Sequence, residues 1–262
     1  MKLKGKVVFV TGASAGLGKK ICYEAAKQGA IVVACARRID ELTKVKQTCA
    51  ALSKQEAFCY QLDVSNPTQV DQVLEAISLE VGPIDVLVNN AGFGIFEDFV
   101  AFDFEKTRQM FEVNVLGLMY ITQKIAAQMV QAQKGSIINI ASIAGKIATP
   151  KTAVYSATKF AVLGFSNALR LELKPYGVSV TTVNPGPMET NFFTTADPSG
   201  NYVNGVKPFL SSPEVLAKKI VRTMHKPKRE INQPKIMNAA AKAYTLFPSV
   251  GDYLASGILN KK

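Results

Sequence analysis

The chain has 262 residues, 48% of them hydrophobic, which suffices for one large α/β domain with a substantial core but not for a second full domain. Its net charge of +11 admits anionic partners, although no nucleic-acid recognition motif accompanies that charge. One histidine, four cysteines without a C-x-x-C pair, and no signal peptide or membrane-spanning run predict a cytoplasmic protein without a metal site.

Short apolar segments alternate with longer amphipathic ones, which is typical of repeated βα units around a parallel sheet. We predict strands at Lys6–Thr11, Ile31–Ala36, Ala57–Leu62, Ile84–Val88, Ser136–Ile140, Ser179–Val183 and near Glu230–Asn232. The predicted helices are Leu17–Gln28, Ile39–Ser53, Pro67–Glu80, Phe104–Gln131, Ala153–Lys174 and Pro213–Met224. Residues 187–210 contain several prolines and interrupt the alternation, so they are predicted to form a lid.

A glycine-rich turn, Thr11-Gly12-Ala-Ser14-Ala-Gly16-Leu17-Gly18, joins the first predicted strand to the first predicted helix. Strand, turn and helix in this order can hold a pyrophosphate, because small residues let the phosphates approach the backbone. The start of the helix adds free N–H groups and a positive dipole end. A turn with only a structural role is the alternative.

Two arginines, Arg37 and Arg38, follow the second predicted strand. A fold of this kind that uses NAD usually presents a carboxylate at this point for the ribose 2′-hydroxyl, whereas the 2′-phosphate of NADP calls for arginine. The pair therefore favours NADP over NAD. Arginines that merely lie exposed on the surface are the alternative.

Tyr155 and Lys159 are four residues apart in a predicted helix, which places a phenol and an ammonium on one face. A positive charge makes tyrosine a better proton donor at neutral pH, because it favours the phenolate. Ser142 follows a predicted strand, where α/β sheets place their ligand crevice. These residues together indicate the reduction of a carbonyl or the oxidation of an alcohol. The alternatives are an exposed tyrosine stacked on a lysine stem and a serine that caps a turn.

Several motifs occur in order between about residues 5 and 200: Thr11–Gly18, Asn89-Asn90-Ala91-Gly92, Asn114, Ser142, Tyr155-x-x-x-Lys159 and Pro185-Gly186. Together they resemble the classical short-chain dehydrogenase/reductase family, in particular its bacterial NADP-dependent oxidoreductases. The resemblance implies one Rossmann-like, doubly wound sheet of about seven parallel strands, in the order 3-2-1-4-5-6-7, with helices on both faces. It also implies a homodimer or homotetramer assembled through the helices that contain Asn114 and Tyr155.

The resemblance implies that Tyr155 donates a proton to the carbonyl oxygen, to which Ser142 hydrogen-bonds. Lys159 would hold the nicotinamide ribose and favour tyrosinate, while Asn114 would kink its helix around a water that links Lys159 to solvent. The implied cofactor-binding residues are Gly12, Ser14, Gly16, Leu17, Gly18, Arg37, Arg38, Asp63, Val64, Asn90, Ala91, Gly92, Tyr155, Lys159, Pro185, Gly186, Met188 and Thr190.

One position departs from the family pattern, because Ala15 stands where many NADP-using relatives carry a basic residue. Arg37 is therefore expected to carry most of the 2′-phosphate recognition, with Ser14 and Arg38 assisting. The expected activity is NADPH-dependent reduction of a carbonyl. The alternatives are an NAD-linked alcohol dehydrogenase that works oxidatively and a non-catalytic dinucleotide-binding regulatory protein.

Apolar residues near these motifs predict a hydrophobic ketone or aldehyde as substrate, unless they only seal the core or a subunit interface. They are Phe93, Ile95, Phe96, Ile143, Ile147, Phe192, Phe193, Tyr202 and Phe209. Residues 233–262 are predicted to form a basic extension. It belongs to the part of the chain from Gly200 onward, which holds roughly eight of the eleven excess positive charges. Because Pro248 interrupts the extension, packing on this or a partner subunit is favoured over contact with an anionic membrane.

Overall fold

The structure, a computed structural model, describes residues 1–197, 200 and 210–257. Within this part, seven strands form one parallel sheet: β1 (Val7–Thr11), β2 (Ile31–Ala36), β3 (Ala57–Gln61), β4 (Val86–Asn89), β5 (Gly135–Ile140), β6 (Val178–Pro185) and β7 (Glu230–Gln233). Their order across the sheet is β3-β2-β1-β4-β5-β6-β7. The predicted fold class and strand order are therefore confirmed.

Helices cover both faces of this sheet. In the described part they are α1 (Gly16–Lys27), α2 (Ile39–Ser53), α3 (Pro67–Glu80), α4 (Phe104–Phe111), α5 (Leu118–Gln131), α6 (Ala153–Leu173), α7 (Phe192–Ala196), α8 (Pro213–Thr223), α9 (Lys235–Leu246) and α10 (Pro248–Gly257). Val8 and Val10 pack toward α1, α2 and α8, whereas Val7 and Phe9 pack toward α3 and α5. Successive strand residues face opposite layers, so strands covered on both sides are apolar throughout.

The predicted helix over Phe104–Gln131 is present with these bounds, but it is not α-helical throughout. A π-helical turn, Glu112–Gly117, separates α4 from α5. A Cβ on Gly117 would overlap the carbonyl of Val64, so the turn lies close against the loop after β3. Asn114 lies within the same turn, and its amide reaches the loop after β4. The helix is therefore distorted at Asn114, as the family resemblance implied, and such turns often lie at functional sites.

The irregular segment and the C-terminal extension contain more regular structure than their sequences indicate. Helix α7 lies within the predicted lid, and Met188 bridges Ser211 across it. The extension folds into α9 and α10, with Pro248 at the start of the second helix. The hydroxyl of Tyr244 donates to Asp252 at 2.7 Å and ties the two helices together. No helix among the described residues is long and apolar enough to cross a membrane.

Candidate active site

A cavity of about 870 Å³ lies over the carboxyl ends of the strands, where ligand crevices of α/β sheets are found. Residues that follow β1, β2, β3, β4, β5 and β6 all contribute to its walls. Every predicted catalytic and cofactor-binding residue lines it except Gly18 and Asn114. Residues that are far apart in the chain, such as Gly12 and Pro185, are thus brought to one site by the parallel topology.

Glycines in the first turn allow it to lie directly against the segment that follows β4. Gly12 has φ +65°, and a Cβ there would lie 2.8 Å from the Cα of Ala91. The side-chain amide of Asn90 donates to the carbonyls of Thr11 and Gly12 at 3.0 and 3.1 Å. A Cβ on Gly18 would overlap this contact, so Gly18 is needed for the packing of the turn rather than for the cavity wall.

The start of α1 fits an anionic group. Ala15 precedes the helix and provides no side-chain cap, and the first turn carries no acidic residue. The N–H groups at this end are therefore left without a capping side chain, and the residues that carry them, Gly16 and Leu17, line the cavity. A Cβ on Gly16 would approach only Thr190, at 3.5 Å. The turn can accordingly hold the pyrophosphate of a dinucleotide.

The arginines after β2 lie beside this turn. The guanidinium of Arg38 donates to the hydroxyl of Ser14 from Nη2 at 3.0 Å and from Nε at 3.3 Å. Arg37 is exposed, and its carbonyl accepts from Gln61 at 2.9 Å. Asp63 is the one carboxylate among the described lining residues, and Ser65 donates two hydrogen bonds to it. The arrangement suits a phosphate more than a ribose hydroxyl, and it ties Arg38 rather than Arg37 to the turn.

Tyr155 and Lys159 share one buried face of α6, with only 7% and 5% of each residue exposed. The Lys159 ammonium lies 5.7 Å from the centre of the Tyr155 ring and donates to the carbonyl of Ile140 at 3.1 Å. Burial lowers the pKa of Lys159 to about 8. The alternative of an exposed tyrosine stacked on a lysine stem is therefore wrong.

Ser142 follows β5 and lines the same cavity. Its hydroxyl accepts from the backbone N–H of Ala144 at 3.1 Å and so caps the short helical turn Ile143–Gly145. The hydroxyl proton points toward the carbonyl of Pro185 at a long 3.4 Å. The capping role and a substrate contact are compatible, because the cap uses a lone pair while the O–H remains a donor.

Asn114 acts one layer behind the cavity wall. Its amide accepts from the N–H of Phe93 at 3.0 Å and donates to the carbonyl of Phe93 at 2.8 Å and to Thr158 at 3.2 Å. Thr158 in turn donates to the carbonyl of Tyr155 at 2.7 Å. Asn114 therefore fixes the loop after β4 against α6. Its predicted role in linking Lys159 to solvent through a water stays a prediction.

Aromatic side chains surround Tyr155 at one end of the cavity. The rings of Phe96 and Phe192 lie 5.7 and 5.6 Å from it, centre to centre. A Cβ on Gly94 would come within 2.9 Å of the Tyr155 ring, so the loop after β4 packs tightly on it. The predicted substrate residues that line the cavity are Phe93, Phe96, Ile143, Ile147, Phe192 and Phe193. Ile95 packs in the same cluster behind the wall, while Tyr202 and Phe209 lie outside the described residues.

Helix α9 supplies cavity residues that the sequence analysis did not assign to the site. Ile236, Met237 and Ala240 line the cavity. Met237 lies directly over Gly186, because a Cβ on that glycine would come within 2.5 Å of its sulfur. The helical spacing of these apolar positions directly after β7 indicates a helix. Nothing in the local sequence shows that this helix packs against the cavity.

Comparison with known proteins finds relatives that are named as reductases. A bovine protein named 3-ketodihydrosphingosine reductase is 34% identical over 232 residues, which is 85% of this chain and 69% of that protein. Ketoacyl reductase HetN from Nostoc sp. is 34% identical over 245 residues, 92% of this chain and 83% of its own. Alignments to the curated relatives cover between 57% and 83% of those proteins' lengths.

A solved structure agrees with this result. L-sorbose reductase from Gluconobacter frateurii, complexed with NADPH and L-sorbose, superimposes with a TM-score of 0.80 at 28% identity, over 88% of this chain and 95% of that one. The family model described as short chain dehydrogenase matches residues 6–199, which include the glycine-rich turn, Ser142, Tyr155 and Lys159. The chain therefore belongs to the short-chain dehydrogenase/reductase family of NAD(P)-dependent oxidoreductases.

Proposed function

We propose that this protein is an NADPH-dependent reductase that converts a hydrophobic ketone or aldehyde into an alcohol. One observation carries the proposal: Tyr155, Lys159 and Ser142 line the same cavity as the glycine-rich turn and the two arginines after β2. A proton donor, its activating charge and a dinucleotide site thus share one space. The aromatic and aliphatic walls beside Tyr155 support an apolar substrate.

The residues of the chain divide the work of the reaction. A bound nicotinamide supplies the hydride. As negative charge grows on the carbonyl oxygen, the phenol of Tyr155 donates its proton, and the hydroxyl of Ser142 stabilises that oxygen by a second hydrogen bond. The Lys159 ammonium beside the ring stabilises the phenolate that remains. The aromatic cluster keeps water away from the reacting carbon, which strengthens these interactions.

The dinucleotide would be held along the strand ends. The turn from Gly12 to Leu17 and the start of α1 would bind the pyrophosphate, with the 2′-phosphate at Arg37, Arg38 and Ser14. The remaining predicted contacts are Asp63 and Val64 for the adenine, Asn90, Ala91 and Gly92 for the adenosine ribose, and Pro185, Gly186, Met188 and Thr190 for the nicotinamide.

We propose a long-chain 3-oxo compound as substrate class, with steroid-like and xenobiotic ketones as alternatives. Relatives named 3-ketodihydrosphingosine reductase and ketoacyl reductase support a ketone beside an alkyl chain, and the apolar cavity provides room for one. The test is a comparison of initial rates with NADPH and NADH on a panel of lipophilic ketones of increasing chain length. Activity confined to short polar ketones, or faster turnover with NADH, would contradict the proposal.

Replacing Arg38 or Arg37 by aspartate is expected to move cofactor preference toward NADH. A charge-assisted hydrogen bond contributes about 1.5–3 kcal/mol, so the ratio of kcat/KM for NADPH to that for NADH should fall about 10- to 100-fold for each variant. Because Arg38 contacts Ser14, its variant should show the larger change.

Arg222→Asp, an exposed arginine on α8, is the matched control and should leave the preference unchanged. An unaltered NADPH to NADH ratio in both Arg37→Asp and Arg38→Asp would exclude these side chains from 2′-phosphate recognition.

We propose that the protein is a homodimer or homotetramer whose subunits meet through α6 and the π-helical turn before α5. Phe160 on α6 and Leu116 in the π-helical turn are large apolar side chains that are 48% and 57% exposed, which suits residues of a subunit interface. Phe160→Lys is expected to lower the molar mass seen by light scattering to that of a smaller species. Leu79→Lys, which places the same charge on an exposed leucine at the C-terminal end of α3, is the control and should not change it.

A further inference from the structure

Helices α9 and α10 present an unusual concentration of apolar side chains to solvent. Ile236, Leu246, Phe247, Val250 and Tyr253 are between 58% and 78% exposed. Residues of this size are normally exposed singly on a soluble protein, whereas neighbouring ones mark an interaction surface. We call these five residues, with the small residues Ala239, Ala240 and Ala243 between them, the helix-pair surface.

The exposed side chains of α9 lie on one side of the helix. Ile236, Ala240, Ala243 and Phe247 are spaced by four, three and four residues, which aligns them along one face. All four are exposed, whereas Ala241 on the opposite side is only 3% exposed and packs inward. The helix therefore has a second apolar stripe, in addition to the one that it uses to pack on the domain.

Lysines border this stripe. Lys235 and Lys242 are exposed and lie seven residues apart, on the side next to Ile236 and Leu246, and α9 contains no acidic residue. Asp252 of α10 is the one carboxylate in the described part of the two helices, so two lysines stand against one acidic residue. The surface is therefore cationic as well as apolar, in the part of the chain that holds most of the excess positive charge.

The charge decides which occupant fits the surface. Two copies of this chain that met symmetrically through α9 would bring like charges together, which disfavours that contact. A bilayer with anionic headgroups satisfies both features, because its headgroups attract lysines while its acyl chains accept the apolar stripe. The stripe also continues into the cavity, since Ile236 and Ala240 are exposed and line the cavity wall.

We propose that the helix-pair surface binds anionic lipid bilayers, with the mouth of the cavity turned toward the membrane. The lysines contact the headgroups, and Leu246 and Phe247 enter the boundary between headgroups and acyl chains. This inference is independent of the proposed reaction, because membrane binding is scored without turnover.

The test is co-sedimentation of the full-length protein with vesicles of phosphatidylcholine alone or mixed with phosphatidylglycerol. The wild type is expected to sediment only with the mixed vesicles, and less at high salt. Leu246→Asp combined with Phe247→Asp should weaken this binding at least about tenfold. Lys235→Gln combined with Lys242→Gln keeps the apolar stripe and should weaken it by a similar factor, because the lysines supply the attraction to the anionic headgroups.

Leu79→Asp, which places the same charge on an exposed leucine of α3, is the matched control and should sediment like the wild type. The circular dichroism spectrum and the thermal unfolding midpoint should be unchanged in all three variants, which establishes that each is folded. The proposal is overturned if the wild type stays in solution, if it binds neutral vesicles equally well, or if the control loses as much binding. It is also overturned if the aspartate pair lowers the molar mass, which would identify a contact between copies.

Discussion

Tyr155→Phe is expected to lower kcat by about a thousandfold while the dissociation constant for NADPH changes little. The substitution removes one hydroxyl and keeps the ring that packs between Phe96 and Phe192, so the walls of the cavity remain in place. General acid catalysis by a positioned side chain contributes about 10²–10⁴-fold, and this hydroxyl is the proposed donor. Steady-state rates and nucleotide fluorescence titration measure the two quantities separately.

Tyr176→Phe is the matched control, because Tyr176 is 42% exposed in the turn after α6 and away from the cavity lining. It should retain full activity. If Tyr155→Phe retained more than about a tenth of the wild-type kcat, the phenol could not be the proton donor and the reaction would need another acid.

Lys159→Met is expected to reduce activity by about a hundredfold or more and, at the same time, to stabilise the fold at pH 7. The ammonium is buried, and at this pH it is mostly protonated because its pKa of about 8 lies above the pH. Holding a charge away from water is unfavourable, whereas methionine fills a similar volume without one. The loss of activity follows from the missing charge beside Tyr155.

The pH dependence of this effect has a definite sign. Lysine in the unfolded chain has a pKa of about 10.4, so between about pH 8 and 10.4 the unfolded state keeps a proton that the folded state has released. The unfolding free energy of the wild type therefore rises with pH across this window. The destabilisation that comes from burying the Lys159 charge is fully present well below pH 8. The shift corresponds to on the order of 3 kcal/mol, offset by about 1 kcal/mol for the lost hydrogen bond to Ile140.

Urea titrations of the cofactor-free protein at pH 7 and pH 10 provide the measurement. The stability advantage of Lys159→Met should be about 2 kcal/mol at pH 7 and should shrink toward pH 10. Lys46→Met, at an exposed position of α2, is the control and should show no such trend. An advantage that stayed constant with pH would mean that Lys159 is not buried as a cation.

The sheet could be predicted from the sequence because its strands are short, apolar and regularly spaced. All seven were located to within a residue or two, including β7, which lies far from the others in the chain. The π-helical turn between α4 and α5 was indicated only by the family resemblance at Asn114, since the segment around Glu112–Gly117 has an uninterrupted helical pattern. What opens that helix is distant in sequence: the loop after β4 bonded by Asn114, and the carbonyl of Val64 against Gly117.

The candidate site was predictable to the extent that its residues belong to local motifs. Ser142, Tyr155 and Lys159 were found from their spacing, and the structure places all three at one cavity. Local patterns could not show that Gly18 serves the packing of the turn, or that Arg38 rather than Arg37 bonds to Ser14. Both depend on how β2 and β4 end relative to β1, which only the assembled sheet determines.

The contact of Met237 with Gly186 shows that the cavity wall and the proton-transfer residues come from different parts of the chain. The residues assigned to proton transfer lie within the part that matches the family model, residues 6–199, whereas α9 follows it. Substitutions at positions 236, 237 and 240 can therefore reshape the pocket without touching Tyr155 or Lys159. A chimaera in which a relative's C-terminal helices replace α9 and α10 should acquire the substrate range of that relative and keep the same reaction. Evolution can change the substrate in the same way, without altering the proton-transfer residues.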